Sequence, residues 1–419
     1  MRIPFDQPLP KKVINVEDKS RSNLYTWRGQ FTPELIENLL KAYCPIEGTV
    51  LDPFCGSGTV LYESGKQGLT AYGVEVNPSA YILSKTYEFI NVEKNEREKI
   101  AKNFIAILNE FFPAKDILSI HSEIQLEYFV DKINEFRDKL TEKENILLDA
   151  FVILLDIYKN KITPANIQTV CYNLSSILNE LPFSKRPIRA ILGDARSIAL
   201  AEKSIDFVIT SPPYINVFNY HQNYRKSAEV LGWNLLEIAK SEIGSNRANR
   251  GNRFVTVIQY CIDMMNALQE LYRLCKEDAK LILIVGYEST VLGVPFYNAN
   301  IIASLAKDSG LFELVITQTR RFKNKFGKII SEDILHFVPK QNSVQLDPIG
   351  IARNVALSVL QKAKFFVPEK NKEYLEKAIS TVEKVEGTPV YEYRNIPLYS
   401  KTTVNNTRIQ YAELSKSSL

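Results

Sequence analysis

The sequence predicts an α/β fold, a doubly wound and mostly parallel sheet, and three observations carry that expectation. An apolar, β-rich run, Thr49–Phe54, breaks at a proline and opens directly into Gly56-Ser57-Gly58-Thr59. A helical stretch and a second apolar run ending on Glu75 follow at once, which makes one βαβ unit with a right-handed crossover. Far downstream the alternation resumes with Ile188–Ala195 and Ser204–Tyr214, so a single sheet is expected from two separated stretches of chain.

Taken in order, the first helix is predicted over Val60–Gln67, where Gly68 ends it, and the second strand over Thr70–Val76. From residue 91 to 185 the texture changes to long amphipathic stretches rich in Lys, Glu, Ile and Leu. Thr163-Pro164 reads there as an N-cap with proline at the first helical position, and the region is expected to be a helical insertion. After the strands around 190 and 208 come a helix at Val255–Leu274, a strand at Lys280–Gly286 and a helix at Asn298–Lys307. A final pair of strands, Leu311–Phe322 and Glu332–Val338, brings the count to seven. Beyond Lys340 an apolar helical stretch, Ile349–Ala363, precedes a polar tail. The expected divisions are therefore 1–90, 91–185, 186–340 and a C-terminal extension at 341–419.

With 45% hydrophobic and 24% charged residues over 419 positions, the chain can build a sizeable core, which argues against a mainly disordered protein. A net charge of +4 permits a polyanionic partner without demanding one. The opening MRIPFDQPLPKK lacks the apolar core of a signal peptide, and no run approaches the ~18 apolar residues of a membrane span. A cytoplasmic protein without a membrane partner is expected. Cys44, Cys55, Cys171, Cys261 and Cys275 are odd in number and scattered, which suits reduced packing residues. His121, His221 and His336 lie far apart, so neither a metal centre nor a Ser-His-Asp triad is indicated.

A glycine-rich turn between a strand and a helix lets backbone approach a ligand, and the helix start offers free N–H groups. Leu61 stands where a nicotinamide-type fingerprint wants its third glycine, and the Gly-Lys-Ser/Thr of a phosphate loop is absent. In isolation Gly56 and Gly58 read equally well as a structural turn. Glu75 closes the second strand, where a carboxylate can accept from ribose hydroxyls; a solvated strand-end charge is the alternative. Ile209–Tyr214 is the sharper signal. Its two consecutive prolines remove two N–H donors and leave carbonyls free to accept from a substrate amino group. Ser211 adds a side-chain acceptor, and Tyr214 a flat face on which a base taken out of a duplex can stack.

Asp52-Pro53-Phe54-Cys55-Gly56-Ser57-Gly58-Thr59 after one strand and Thr210-Ser211-Pro212-Pro213-Tyr214 after another put both loops at the carboxyl ends of strands, where ligands bind. With both present, the chain resembles the amino-methyltransferases of DNA, which make N4-methylcytosine or N6-methyladenine. The resemblance runs over residues 25 to 340, apart from the helical insertion. It implies a Rossmann-like class I methyltransferase with seven strands, S-adenosylmethionine as cofactor and double-stranded DNA as partner. The cofactor half of the domain would then lie in 1–90 and the catalytic half in 186–340.

Laid onto this sequence, the resemblance implies that Asp52, Pro53, Phe54, Gly56, Gly58 and Thr59 hold the methionine part, with Asp52 near its amino group. Glu75 and its neighbour Val76 would take the ribose, Asp194 the adenine amino group, and Ala195 the adenine ring. Gln30 and Phe31 would close over the methionine end, and Ser211, Pro212, Pro213 and Tyr214 would form the catalytic loop. Asn219-Tyr220, Tyr224-Arg225, Leu231-Gly232-Trp233 and Ile243-Gly244-Ser245 resemble a subset with helices after that loop, a subset that often has Asp where Asn219 stands. Arg247, Arg250 and Arg253 follow in an asparagine-rich loop as candidates for phosphate contacts, solvated arginines being the alternative.

No recognition domain fits between Asp194 and Ser211, which leaves the insertion, the loop 215–254 or the chain beyond Lys340 to read the DNA. In the family, Ser at the first position of the catalytic loop leans towards cytosine N4, so that atom is favoured over adenine N6. Restriction-modification is the expected setting, with a cognate restriction endonuclease as a candidate partner. An RNA amino-methyltransferase would use the same two loops and stays open. Methylation at cytosine C5 needs a cysteine nucleophile, usually in a Pro-Cys pair, and the chain has none.

Overall fold

Strand β1 (Thr49–Asp52) lies in the interior of the sheet of the computed structural model, between β2 and β4. The structure describes residues 2–392 apart from 18, 114–118, 158, 216–219, 246–248, 250, 324–326 and 342–346. Val50 and Leu51 are both fully buried, and they point into two different cores, one on each face of the sheet. That is why this strand is a continuous apolar run and not an alternating one.

On one side of β1 lie β2 (Thr70–Glu75) and β3 (Ile188–Leu192), and on the other β4 (Ile205–Thr210) and β5 (Cys275–Gly286), all parallel. A separate hairpin joins β6 (Glu288–Val291) to β7 (Val294–Tyr297). An antiparallel arm of β8 (Phe312–Lys323) and β9 (Ile329–Pro339) adds to β5 through β9. The seven strands run in the order β3-β2-β1-β4-β5-β9-β8 with β9 alone reversed, which is the doubly wound, mostly parallel sheet the sequence predicts. Chain order reverses between β1 and β4, and the crevice at such a reversal is where open α/β sheets take their ligands.

Boundaries differ from expectation, for β1 and β4 because prolines intervene. β1 stops at Asp52 and not Phe54, because Pro53 has no N–H for the ladder. β4 stops at Thr210, just ahead of Ser211-Pro212-Pro213, and β5 starts at Cys275, ahead of the expected Lys280. The β6–β7 hairpin was not expected. Its turn is Leu292-Gly293 with φ of 50° and 85°, the two positive values of a type I′ turn without the usual Asn-Gly or Asp-Gly.

Between β2 and β3 run the helices Lys94–Phe111, Leu126–Arg137, Glu142–Leu154 and Pro164–Glu180. The side chain of Thr163 caps the last of them by accepting from Asn166 N. The region enters and leaves at one point, where Asn91 Nδ2 donates to Ser184 O (2.9 Å) and Arg186 O (2.6 Å). After β9, helix Pro348–Ala363 packs on Val255–Leu274 and Asn298–Asp308, burying Ala352, Ala356 and Leu360 in the second core. All five cysteines are buried and unpaired. Among the described residues no helix is long and apolar enough to cross a membrane.

Candidate active site

A cavity of about 410 Å³ opens at the carboxyl ends of β1 to β4. Its first wall is the loop after β1. Gly58 has φ of +93°, and a Cβ there would fall 2.6 Å from the Tyr87 ring, so only glycine fits the turn. Cys55 N donates to Val74 O (3.0 Å), and Gly56 N to Glu75 Oε2 (2.8 Å), so the loop is tied to β2. Glu75 Oε1 accepts from Asn77 N (2.7 Å), and Gly193 N donates to Glu75 O (3.0 Å), which ties in the loop after β3. Burial pushes the Glu75 carboxyl up to about 7 against the pull of those two N–H groups on its oxygens.

Pro53, Phe54, Gly56, Thr59, Glu75, Val76, Asp194 and Ala195 all line this cavity, as do Gln30, Phe31, Ser211, Pro213 and Tyr214. Asp52, Gly58 and Pro212 do not belong to the lining. Asp52 is buried at the crevice, where its Oδ1 accepts from Thr210 Oγ1 (2.5 Å) and Phe54 N (3.2 Å) and so joins β1 to β4. Burial pushes its carboxyl up to about 7.

The segment 23–31 roofs the first wall. Gln30 Nε2 donates to Ser57 Oγ (2.5 Å) and Tyr25 O (2.8 Å), and Thr59 Oγ1 donates to Asn23 Oδ1 (2.8 Å). Trp27 and Tyr224 stack at 6.2 Å, and the Tyr224 hydroxyl donates to Thr26 O (2.9 Å), which holds the roof to the chain after the catalytic loop.

At the other end Asp194 is fully engaged. Arg196 Nε and Nη2 donate to its two oxygens at 2.8 and 2.6 Å, while Nη1 donates to Asp263 Oδ1 (2.8 Å), Thr388 O (2.9 Å) and Thr388 Oγ1 (2.7 Å). Thr388 N and Oγ1 donate in turn to Asp263, both at 2.9 Å. The C-terminal extension thus returns to brace the loop that carries Asp194. Burial pushes the Asp263 carboxyl up to about 6, and Arg196 opposes the shift.

The second wall is the loop after β4. Tyr214 OH lies 3.2 Å from Ser211 Oγ, and the Tyr214 ring rests on Gly286 at the end of β5, where a Cβ would come within 3.1 Å of it. Burial drives the Tyr214 hydroxyl far above its usual range, so it stays protonated. Tyr220, Ser241, Glu242, Ile243, Phe322, Ile330 and Glu332 complete this wall; among them the sequence singled out Tyr220 and Ile243, through the resemblance. Glu242 binds His221, accepting from its N–H (2.8 Å) and meeting Nδ1 at 3.0 Å. No local pattern announces residues that arrive from separate strands. Asn219, Arg247 and Arg250 lie outside the described residues, and Arg253 stands just ahead of helix Val255–Leu274.

A family model described as DNA methylase matches residues 7–86, the stretch holding the roof and the first wall. The type II methyltransferase M.MjaII of Methanocaldococcus jannaschii is 20% identical over 460 residues, which covers 78% of this chain and 83% of that protein. M.BsoBI of Geobacillus stearothermophilus, also a type II methyltransferase, is 24% identical over 287 residues, 53% of this chain and 55% of that one. Over these stretches the chain resembles DNA methylases and type II methyltransferases. Among solved structures, a SAM-dependent methyltransferase from Methanosarcina mazei aligns with a TM-score of 0.34 and 11% identity, covering 71% of this chain and 94% of that one.

S-adenosylmethionine is the cofactor of this methyltransferase. The cavity suits it chemically: Glu75, Asp194, Glu242 and Glu332 face it against Arg28, an acid-rich lining for a cationic ligand.

Proposed function

We propose that this methyltransferase modifies duplex DNA at a specific site, on the exocyclic N4 of a cytosine flipped out of the helix. The observation that carries the reading is one shared cavity. The glycine loop after β1 and Ser211, Pro213 and Tyr214 after β4 line the same space. S-adenosylmethionine supplies an electrophilic methyl carbon on a sulfonium centre. Glu75 and Val76 are assigned to its ribose, Asp194 and Ala195 to its adenine, and the loop 52–59 with Gln30 and Phe31 to its methionine end.

The amino nitrogen of cytosine is a poor nucleophile because its lone pair is delocalised into the ring. Ser211 Oγ and the Pro212 carbonyl are assigned to its two N–H groups, so that the nitrogen pyramidalises and its lone pair turns to the methyl group. Tyr214 is assigned to the base face; its ring is already immobilised against Gly286. Ser211 at the head of the loop favours cytosine, through the resemblance set out above. Arg247, Arg250 and Arg253 are assigned to backbone phosphates. A restriction-modification setting with a cognate endonuclease is part of the same reading, and two of the relatives are named type II methyltransferases.

Mass spectrometry of nucleosides from plasmid DNA treated with the full chain and S-adenosylmethionine is the test, with N4-methyl-2′-deoxycytidine as the expected product. N6-methyl-2′-deoxyadenosine alone would move the target to adenine N6 and keep the amino-methyltransferase reading. Methylation of transfer or ribosomal RNA with none of DNA would overturn the substrate.

A further inference from the structure

Four carboxylates face the cavity, and three of them are already bound. Glu75 takes backbone N–H groups on both oxygens, Asp194 is chelated by Arg196, and Glu242 holds His221. Glu332 differs. Among the described residues its polar partner is Arg320, with Nε at 3.5 Å, longer than a normal hydrogen bond.

The fold brings this carboxylate to the cavity wall near Tyr214. Glu332 pairs with Gly286 across β5 and β9, and Gly286 is the residue on which the Tyr214 ring rests. Glu332 is also cross-strand partner to Arg320 on β8, whose side chain is 2% exposed and lies 4.2 Å from the centre of the Phe322 ring. Phe322 and Ile330, the next opposed pair on that face, line the same cavity.

We infer that Glu332 is a further catalytic residue: its carboxylate stabilises the positive charge that develops on the target amino nitrogen and then accepts that nitrogen's proton. The inference rests on the amino-methylation reading. Ser211 stands at the head of the loop and is a weak base, whereas Glu332 puts a carboxylate on the same wall. As the N–C bond forms and the C–S bond breaks, the sulfonium's positive charge passes to nitrogen. The N–H bond then breaks towards Glu332, leaving a neutral methylamino base, S-adenosylhomocysteine and a protonated Glu332 that returns its proton to solvent. Arg320 is a positioning residue that keeps Glu332 ionised.

The groups facing Glu332 are Arg320 from β8 and Tyr214 from the loop after β4, with Glu75, Asp194 and Glu242 across the cavity. Burial raises the Glu332 carboxyl above its ordinary value, and Arg320 lowers it. Turnover should therefore rise with pH as Glu332 loses its proton.

Single-turnover transfer from radiolabelled S-adenosylmethionine into an unmethylated plasmid, followed across pH with the full chain, tests this. Glu332→Gln should bind cofactor like wild type, lose on the order of 10²-fold in rate and lose the acid limb of the profile. Arg320→Leu should move that limb to higher pH, and Arg320→Lys should bring it back. The Arg320 variants read the same carboxylate if the Gln variant does not fold. An active wild type with an equally fast Glu332→Gln and an unchanged profile, or an unmoved limb in Arg320→Leu, overturns the role of Glu332. A wild type that binds cofactor but labels no DNA overturns the substrate reading, and this inference with it.

Discussion

The two walls of the cavity are built in opposite ways. Around β1, β2 and β3 the polar groups of the first wall are spent on one another: Gly56 N on Glu75, Gln30 on Ser57, Asp194 on Arg196. On the second wall Glu242 holds His221, but among the described residues Glu332 has only a long contact with Arg320, and Ser211 Oγ meets the Tyr214 hydroxyl at 3.2 Å. A ligand common to many turnovers can be met by a surface that is fixed in advance. A base that arrives from a duplex needs donors and acceptors held in reserve, because each buried polar group must be satisfied only once the base is in place.

The largest effect that sharpens this contrast is expected at Arg196. Replacing it with Leu strands Asp194 and Asp263 as buried charges, which should cost about 3–5 kcal/mol in urea unfolding. A loss confined to methylation, with stability intact, would mean that the first wall is not the rigid one.

On the second wall the loss should appear in turnover. Tyr214→Ala is expected to keep cofactor binding and stability near wild type while single-turnover methylation falls on the order of 10²-fold. Tyr214→Phe keeps the ring on Gly286 and loses the hydroxyl's contacts with Ser211 and the Gly286 backbone, so it should cost a few-fold at most. Equal damage from the two variants would assign the chemistry to the hydroxyl and remove the stacking role.

A smaller effect follows from acidity. Glu75 and Asp52 both sit at about 7, raised by burial, so the cofactor-free fold prefers them protonated. Their contribution to stability is full below the ordinary carboxylate range and is lost as pH rises through about 7. Cofactor affinity should move the other way, since a cation gains an ionised Glu75 as pH climbs through the same window. Calorimetric titrations at the two ends of that window check the sign, and an affinity that falls with pH would remove Glu75 from the ligand's reach.

The smallest effect is expected on duplex affinity, when Arg247, Arg250 and Arg253 are changed to Ala one at a time. Each should flatten the slope of log affinity against log salt by about 0.9 if it neutralises one phosphate. An unchanged slope returns that arginine to ordinary solvation.

The same contrast explains what the sequence disclosed. The first wall follows from rules that act within a few residues: an apolar run, a proline that ends it, glycines that allow positive φ, and an acid at the next strand end. Ser211-Pro212-Pro213-Tyr214 is local in the same sense. Phe322, Ile330 and Glu332 reach the cavity only because β9 inserts between β5 and β8, a register no spacing reveals. Nothing near Arg196 in sequence points to its network, which Thr388 closes from nearly two hundred residues later. The Leu292-Gly293 turn hid its hairpin because leucine seldom adopts positive φ.

The clip at Asn91 has a kinetic consequence. It joins points 93 and 95 residues apart, so once the helices between them have folded, β2 and β3 meet as if the connection were a few residues long. An open loop costs about 0.6 kcal/mol of closure entropy for every doubling of its length. Prior folding of the helices removes most of that cost from strand pairing, and the edge strand β3 can add to β2 without waiting for a long search. Asn91→Ala should therefore slow refolding more than it speeds unfolding, because the side chain acts on the assembly step as well as on the finished fold.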